Sequence, residues 1–278
     1  MASQPNRVVL ITGAGGGIGS VMTQALLEAG HSVASVDKDV GWLTALDASP
    51  IVDKNRDRWT AVVADLSDES QCNDAVAQTI AKFGRVDAVV NNVGIGPSSI
   101  GPQAEKNPPQ IEDITTEVWD QFFAVNVRAA MLVTRAAMPA MRKAKWGRIV
   151  NNTTSYVTML RILPYGATKS ALESMSAVWA TQLKDTGITV NVLVPGGPTD
   201  TRFISQESGW PRDKMLKPQI MGPPLVWLIS DEANGFTGHH VTAADWNSAL
   251  PGAEAAKGAS RPTGWPELAT LPKWWPTN

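Results

Sequence analysis

The segment YGATK, at residues 165–169, places the phenol of Tyr165 and the ammonium group of Lys169 four residues apart. In a helix, such residues share one face, so the ammonium group can lie near the phenol. A free tyrosine has a pKa of about 10 and is a weak base at neutral pH. A neighbouring cation stabilises the phenolate and lowers that pKa, which favours acid–base chemistry. The spacing therefore indicates a proton-transfer pair, the alternative being an ordinary pair on a helix surface.

A glycine-rich segment, TGAGGGIG at residues 12–19, lies between an apolar run at 7–11 and a helical pattern that ends at Gly30. Glycines in this context permit a tight turn and let the backbone approach a pyrophosphate at the positive end of a helix. A flexible turn is the alternative interpretation. Because the strand, turn and helix occur in the required order, we predict a dinucleotide site here.

Asp37 closes the second predicted strand, 18 residues after Gly19. A carboxylate at this place can accept hydrogen bonds from ribose hydroxyls and would repel a 2′-phosphate, which favours NAD over NADP as the cofactor. Lys38, next to it, could reduce that repulsion. The alternative interpretation is that Asp37 is only a turn residue.

Short apolar runs alternate with helical patterns along most of the chain, which predicts an α/β fold with a doubly wound parallel sheet and helices on both faces. We expect one domain over residues 1–246 and a C-terminal extension over 247–278. The predicted strands are 7–11, 32–36, 59–63, 86–90, 147–151 and 188–194, and the main predicted helices are 17–30, 68–84, 118–144 and 165–185.

Two regions do not follow this alternation. Residues 96–113 are rich in proline, glycine and polar residues and are predicted to form a long loop. The extension at 247–278 is predicted to be irregular, yet it contains Trp265, Trp274 and Trp275. Because a disordered tail would rarely contain three tryptophans, we expect it to pack on its own body or on a neighbouring subunit.

Composition excludes several classes of protein. The 278 residues carry a formal net charge of −2, so we expect no nucleic-acid partner. No apolar run reaches the length of a membrane span or a signal-peptide core, so we expect no membrane association. The single cysteine, Cys72, cannot form an internal disulfide and fits a reducing, cytoplasmic location. The three histidines show no metal-ligand pattern, so no metal site is predicted.

Six motifs in one order resemble those of the short-chain dehydrogenase/reductase family. They are TGAGGGIG (12–19), ADL (64–66), NNVG (91–94), VNV (125–127), YGATK (165–169) and VPGGPTDT (194–201). The resemblance implies a Rossmann-type sheet of about seven parallel strands. It also implies an NAD(P)-dependent oxidoreductase that transfers hydride between a nicotinamide and a carbonyl or alcohol. Assembly as a homodimer or homotetramer is implied as well.

The resemblance assigns cofactor contacts to individual residues. Asp65 and Leu66 would flank the adenine, and Asn91 and Gly94 would border the cofactor after the fourth strand. The segment 194–201 has one residue more than is usual before its threonine, so the choice between Thr199 and Thr201 at the nicotinamide end is open. The full implied set is Gly13, Gly17, Ile18, Gly19, Asp65, Leu66, Asn91, Gly94, Tyr165, Lys169, Pro195, Gly196, Thr199 and Thr201.

The resemblance makes Tyr165 the acid–base group, Lys169 its support and Asn126 the residue that interrupts its helix to hold a proton-relay water. In carbonyl reduction Tyr165 would give a proton to the substrate oxygen, and in alcohol oxidation it would take one.

A third donor in the family is usually a serine 13 residues before the tyrosine, where this chain has Asn152. Alignment on the preceding strand places Thr154 there instead, and Ser155 follows. We prefer Ser155, because a shortened loop can change which hydroxyl faces the pocket and serine lacks the extra methyl group, and Thr154 is the alternative.

Candidate substrate-lining segments are the 96–113 loop, residues 156–163 and residues 202–221, with Phe203, Trp210 and Met215. Their apolar, partly aromatic character predicts a hydrophobic ketone or secondary alcohol as substrate. Alternatively, these residues simply pack a lid onto the body. A second function of a different class is a catalytically weak nucleotide-binding sensor or scaffold, since a fold does not guarantee its usual activity.

Overall fold

In the computed structural model, which describes residues 6–268, eight strands form one sheet in the order β3-β2-β1-β4-β5-β6-β7-β8. The first seven pair in parallel and β8 is antiparallel to β7. Their bounds are β1 Val8–Thr12, β2 Ser32–Asp37, β3 Trp59–Val63, β4 Ala88–Asn91, β5 Gly147–Asn151, β6 Ile188–Val194, β7 His239–Thr242 and β8 Ser260–Pro262.

The α-helices between these strands are α1 Gly17–Glu28, α2 Val40–Asp47, α3 Pro50–Asp53, α4 Glu69–Phe83, α5 Thr116–Phe123, α6 Ala129–Ala144, α7 Tyr156–Met159, α8 Tyr165–Gln182, α9 Gly222–Ile229 and α10 Gly252–Ala259. One hydrophobic core lies between the sheet and α1, α9 and α10, and a second lies between the sheet and α4, α6 and α8. The predicted doubly wound parallel sheet with helices on both faces is confirmed.

The central strands are buried on both faces, which explains their continuous apolar runs. Every residue of β1, β2, β5 and β6 is buried. The connection from β3 to β4 carries the chain from one half of the sheet to the other, so that the strand order reverses between β1 and β4, which lie side by side. In open parallel sheets this reversal opens a crevice at the carboxyl ends of the strands. The fold therefore places the predicted cofactor turn at that crevice.

The predicted helix at 118–144 is divided in the structure. A π-helical turn, Ala124–Arg128, separates α5 from α6 and contains Asn126. Such a turn inserts one extra residue into the helical repeat without ending the helix, so the apolar pattern on either side looks continuous in the sequence.

The C-terminal extension is more regular than its composition indicates. Residues 252–262 form α10 and then β8, which adds an eighth strand to the sheet by pairing with β7. Three alanines of α10, Ala255, Ala256 and Ala259, are buried against the body. Because alanine is small, the helix packs closely without the large apolar residues that would have marked it in the sequence. Trp274 and Trp275 lie outside the described residues.

Trp227 of α9 joins the extension to the body. Its ring centroid lies 5.0 Å from that of Phe236 and 5.7 Å from that of Trp246. Gly252, at the start of α10, leaves no room for a side chain, because an added Cβ would overlap the Trp227 ring. The indole N–H of Trp227 is buried without a hydrogen-bond partner among the described residues, so the side chain contributes through apolar packing.

We expect Trp227→Ala to lower the free energy of unfolding by about 3–5 kcal/mol, because it leaves a large cavity between α9, α10 and the sheet. Trp227→Phe should cost clearly less, since it keeps an aromatic ring and loses an N–H that has no partner. Urea unfolding of both variants measures the difference. Trp119→Ala, at a half-exposed tryptophan, is the control. Equal losses for the alanine variants at 227 and 119 would contradict this packing role.

Candidate active site

A cavity of about 770 Å³ lies at the carboxyl ends of the parallel strands. The segments that follow β1 to β6 all contribute to its wall. It brings together most of the residues that the sequence assigned to the site, although they come from distant parts of the chain. These are Gly13, Gly17, Ile18, Gly19, Asp37, Asp65, Leu66, Gly94, Thr154, Ser155, Tyr165, Lys169, Pro195, Gly196, Thr199 and Thr201.

The glycine-rich turn after β1 packs directly on the start of α1. Gly13 has a φ of +63°, and a Cβ added to Gly19 would overlap the Gly13 carbonyl oxygen. No side chain caps the N-terminus of α1. The first N–H groups of that helix are therefore available at the cavity wall, which is the arrangement that binds phosphate oxygens.

Asn92, which the sequence analysis did not single out, holds this turn in place. Its side-chain amide donates hydrogen bonds to the carbonyl oxygens of Thr12 at 3.0 Å and Gly13 at 3.1 Å. Its carbonyl oxygen accepts a hydrogen bond from the Asn152 amide at 2.9 Å. Asn92 thus connects the glycine-rich turn with the segment that follows β5. The motif NNVG contained the signal, because two adjacent asparagines at a strand end face different sides.

Asn91 is not brought to the cavity. Its side-chain amide donates to Thr134 at 2.9 Å and to Asn151 at 2.8 Å, and the residue is 2% exposed. It lies at the last residue of β4, opposite Asn151 in β5. Since successive side chains of a strand point to opposite faces, Asn91 faces a helix layer, while its neighbour Asn92 lines the cavity.

Asp37, the last residue of β2, lies at one end of the cavity and is buried. Its carboxylate accepts hydrogen bonds from the backbone N–H groups of Gly15 at 3.0 Å and Asp39 at 3.1 Å. The exposed Lys38 side chain forms a long ion pair with Asp65 at 3.9 Å, and no ion pair joins it to Asp37 among the described residues.

Asn126 lies behind the cavity wall in its π-helical turn. Its amide oxygen accepts a hydrogen bond from the Ile95 N–H at 2.8 Å, and its amide nitrogen donates to the Ile95 carbonyl and to Thr168, both at 3.0 Å. A Cβ added to Gly94 would lie 3.2 Å from the Asn126 oxygen and 3.4 Å from Lys169 Nζ. Asn126 therefore fixes the segment after β4 beside the lysine.

Tyr165 and Lys169 occupy one face of α8, and both are buried. Lys169 Nζ lies 5.8 Å from the centroid of the Tyr165 ring and donates to the Asn152 carbonyl at 2.8 Å. Burial lowers the pKa of Lys169 to about 8. Burial also raises the pKa of Tyr165 to about 12, although hydrogen bonding by Thr154 lowers this pKa in part. The lowering of the Tyr165 pKa by Lys169 that the sequence predicted is not found, because loss of solvent around the phenol dominates and the opposing effect comes from Thr154.

The three consecutive hydroxyl groups before α7 have separate partners. Thr154 lines the cavity together with Tyr165 and lowers the pKa of its phenol. Ser155 is the N-cap of α7, where its hydroxyl accepts from the Thr158 N–H at 3.2 Å. Thr153 donates to Glu173 at 2.9 Å. These contacts favour Thr154 as the hydroxyl next to the phenol, the reverse of our preference from the sequence, because helix capping occupies Ser155.

The cavity wall beside Tyr165 is largely apolar, although Ser98, Ser99 and the buried Glu105 of the 96–113 loop also line the cavity. Phe203 lies 5.8 Å from Tyr165, measured between ring centroids, and its carbonyl accepts from the Ser98 hydroxyl at 2.9 Å. Ile162, Ile204 and Trp210 extend this wall, whereas Met215 is buried outside it. Thr199 and Thr201 both line the cavity, so the choice between them stays open.

A nicotinamide dinucleotide fits this arrangement in three parts. The carboxylate of Asp37 lies at one end, the glycine-lined turn and the N-terminus of α1 lie in the middle, and Tyr165 with Lys169 lies toward the apolar end. The side-chain-free surface at Gly13 and Gly19 is the feature that a pyrophosphate needs, since bulkier residues would overlap the backbone there.

Neither a metal site nor a membrane-spanning helix is found in the part of the chain that the structure describes. Within residues 6–268, no group of three or more His, Cys, Asp or Glu side chains is arranged to hold a metal ion. Across the same residues, no helix combines the length and apolar composition that a membrane crossing needs.

Comparison with known proteins places the chain in a family. The family model described as short chain dehydrogenase matches residues 7–211. L-fucose dehydrogenase from Bos taurus is 30% identical over 249 residues, covering 84% of this chain and 86% of that protein.

Solved structures give the same result. The 3-ketoacyl-(acyl-carrier-protein) reductase from Brucella melitensis complexed with NADH has a TM-score of 0.70 and 29% identity, covering 83% of this chain and 93% of the other. A short chain dehydrogenase structure from Shigella flexneri, complexed with NADP, has a TM-score of 0.76 and 25% identity. The match covers 88% of this chain and 100% of the other. The fold, the cavity and these matches together show that this chain is an oxidoreductase of the short-chain dehydrogenase/reductase family, whose members bind nicotinamide cofactors.

Proposed function

We propose that this chain transfers hydride between NAD and a hydrophobic ketone or secondary alcohol, with Tyr165 as the acid–base residue. The observation that supports this most strongly is that the buried Tyr165 and Lys169 line the same cavity as the glycine-lined turn, with Thr154 in the same wall. Thr154 lowers the pKa of the Tyr165 phenol, and we propose that both hydroxyl groups donate hydrogen bonds to the substrate oxygen.

When bound in this cavity, a reduced nicotinamide would supply the hydride that the carbonyl carbon accepts. Tyr165 donates its proton to the carbonyl oxygen, and Thr154 donates a hydrogen bond to the same oxygen, which stabilises the negative charge that develops on it. In oxidation, Tyr165 takes the proton from the alcohol. The ammonium group of Lys169 stabilises the phenolate that remains after reduction, which matters because burial alone opposes that charge.

The apolar wall supports a hydrophobic substrate. Phe203, Ile204 and Trp210 line the same cavity as Tyr165, and the Phe203 ring centroid lies 5.8 Å from that of Tyr165. Such a wall excludes water from the reacting oxygen and favours substrates with an alkyl or aryl group beside the carbonyl.

The position of Asp37 supports NAD as the preferred cofactor. Its buried carboxylate at the end of β2 can accept hydrogen bonds from ribose hydroxyls and repels a 2′-phosphate. Lys38 pairs with Asp65, which directs part of its positive charge to a carboxylate other than Asp37. Assembly as a dimer or tetramer and a cytoplasmic location stay predictions.

Tyr165→Phe should lower turnover by about 10²–10⁴-fold, because the variant keeps the ring and loses the transferable proton. NADH binding, followed by nicotinamide fluorescence, should be nearly unchanged. Turnover is measured by absorbance of the reduced nicotinamide with a panel of hydrophobic ketones. A near-normal rate in the variant would refute the acid–base role. Cofactor binding by the unmodified protein without turnover on any ketone would favour the sensor or scaffold.

Thr154→Val should lower kcat by about 10²-fold, since it removes a hydrogen-bond donor to the developing oxyanion at nearly constant shape. Thr154→Ser keeps the hydroxyl and should recover most of the rate. Ser155→Ala should mainly cost about 1 kcal/mol of stability through loss of the α7 cap. A larger fall in kcat for Ser155→Ala than for Thr154→Val would assign the third donor to Ser155 instead.

Asp37→Asn should shift cofactor use toward NADPH, because it removes the charge that repels a 2′-phosphate and keeps an oxygen that accepts the Gly15 N–H. The ratio of kcat/KM for NADH to kcat/KM for NADPH measures this and should fall about tenfold or more, a difference of about 1.4 kcal/mol. Lys38→Gln is the control for a general effect of charge at this end. An unchanged ratio in Asp37→Asn means that another group sets the preference.

A further inference from the structure

Glu173 is a buried carboxylate that the proposed reaction does not use. It lies on α8 two turns after Tyr165 and one turn after Lys169, and its side chain is 0% exposed. One oxygen accepts hydrogen bonds from Tyr156 at 3.0 Å, His240 Nδ1 at 2.9 Å and Thr263 at 2.6 Å. The other oxygen accepts from Thr153 at 2.9 Å.

Four donors make this site suitable for a charged carboxylate in spite of its burial. Burial alone raises the pKa of Glu173, but the hydrogen bond and charge of His240 and the hydrogen bonds from Thr263 and Thr153 together bring the pKa below its usual value. An ionised carboxylate can only accept hydrogen bonds, so each of the four groups around it must act as the donor. His240 must therefore carry hydrogen on Nδ1.

The donors come from four separate parts of the chain. Thr153 belongs to the segment after β5, Tyr156 to α7, His240 to β7 and Thr263 to the extension just after β8. The guanidinium group of Arg261 lies over the Tyr156 ring, 4.7 Å from the ring centroid. The centroid of the Trp265 ring lies 5.3 Å from that of the Tyr156 ring. Glu173 thus joins the extension to the segment that contains the catalytic hydroxyl.

Thr153 and Thr154 are adjacent, but Thr153 donates to Glu173, whereas Thr154 lines the cavity with Tyr165 and lowers the pKa of its phenol. The planar peptide between them leaves few soft torsions, so fixing the side chain of Thr153 restricts where the Thr154 side chain leaves the backbone. A buried charged group is seldom the most stabilising choice for a core position, because apolar residues of similar volume often stabilise as well or better. This points to a role in precise placement.

We propose that Glu173 is a positioning residue, which holds Thr153 so that the hydroxyl of Thr154 stays beside the phenol of Tyr165, and that Thr263 makes the C-terminal extension part of this clamp. The inference rests on the proposed role of Thr154 as the third donor. It assigns to the extension a function in catalysis besides packing, through one hydrogen bond at the shared carboxylate.

The first test compares Thr153→Val with Thr79→Val, a matched control. Thr79 is also fully buried and donates a single hydrogen bond, to Ala75 at 2.8 Å, but lies in α4 away from the cavity. Both variants should melt at a lower temperature. Thr153→Val should also lower kcat by about tenfold or more at saturating NADH and ketone, because small misplacement of a reacting group is costly. NADH affinity, measured by fluorescence, should not change.

Thr153→Ser, which restores the hydroxyl, should recover most of that rate. A normal kcat in Thr153→Val, or an equal fall in Thr79→Val, overturns the proposal, because the carboxylate would then serve stability alone.

The second test places Thr153→Val in a Thr154→Val background. If Thr153 acts through Thr154, its substitution should lower kcat little further once the Thr154 hydroxyl is gone. Additive losses overturn the clamp while leaving the role of Thr154 intact. A wild-type rate in Thr154→Val alone would instead show that the proposed third donor is misassigned, and the clamp would fail with it.

The third test concerns the extension. Thr263→Val should lower kcat with unchanged NADH affinity, by a smaller factor than Thr153→Val, since Thr263 reaches Thr154 only through Glu173. The full-length chain is used, so that α10 and β8 keep their packing. A normal kcat in Thr263→Val, with kcat reduced in Thr153→Val, would remove the extension from the clamp.

Discussion

Parallel pairing is the constraint on which the site depends. Because β1 to β7 run in one direction, the segments after β1 to β6 meet at one edge of the sheet. The reversal of strand order between β1 and β4 then opens a crevice, with the glycine-lined turn on one side and α8 on the other. Residues more than 150 positions apart, such as Gly13 and Tyr165, face the same cavity for this reason alone.

Within that frame, α8 holds three ionisable groups at successive turns, each in a different electrostatic setting. Tyr165 and Lys169 are buried with few partners, so loss of solvent moves their pKa values in opposite directions, up for the phenol and down for the ammonium group. Glu173 is also buried but has four donors, and its pKa falls. Burial alone therefore does not decide the charge of a group, since the number of hydrogen-bond partners outweighs it here.

Much of the fold and most of the site could be predicted from the sequence, for reasons that are local. Strands buried on both faces produce continuous apolar runs, and the glycines of residues 13–19 are needed wherever backbone packs on backbone. Predictions were less successful where two neighbouring residues differ only in the direction in which their side chains point. Asn91 and Asn92, or Thr154 and Ser155, have similar chemistry, and their exposure to the cavity depends on the strand end and on the cap of α7.

The sequence by itself determined the class of fold, the family and the groups available for chemistry, because periodicity, glycine spacing and side-chain type are properties of the chain. Tertiary structure alone decided that Thr154 lies in one cavity wall with Tyr165, that Asn92 holds the glycine-rich turn, and that the extension forms a helix and a strand next to Glu173. These outcomes depend on contacts between distant segments, and such contacts leave no periodic signal in either segment.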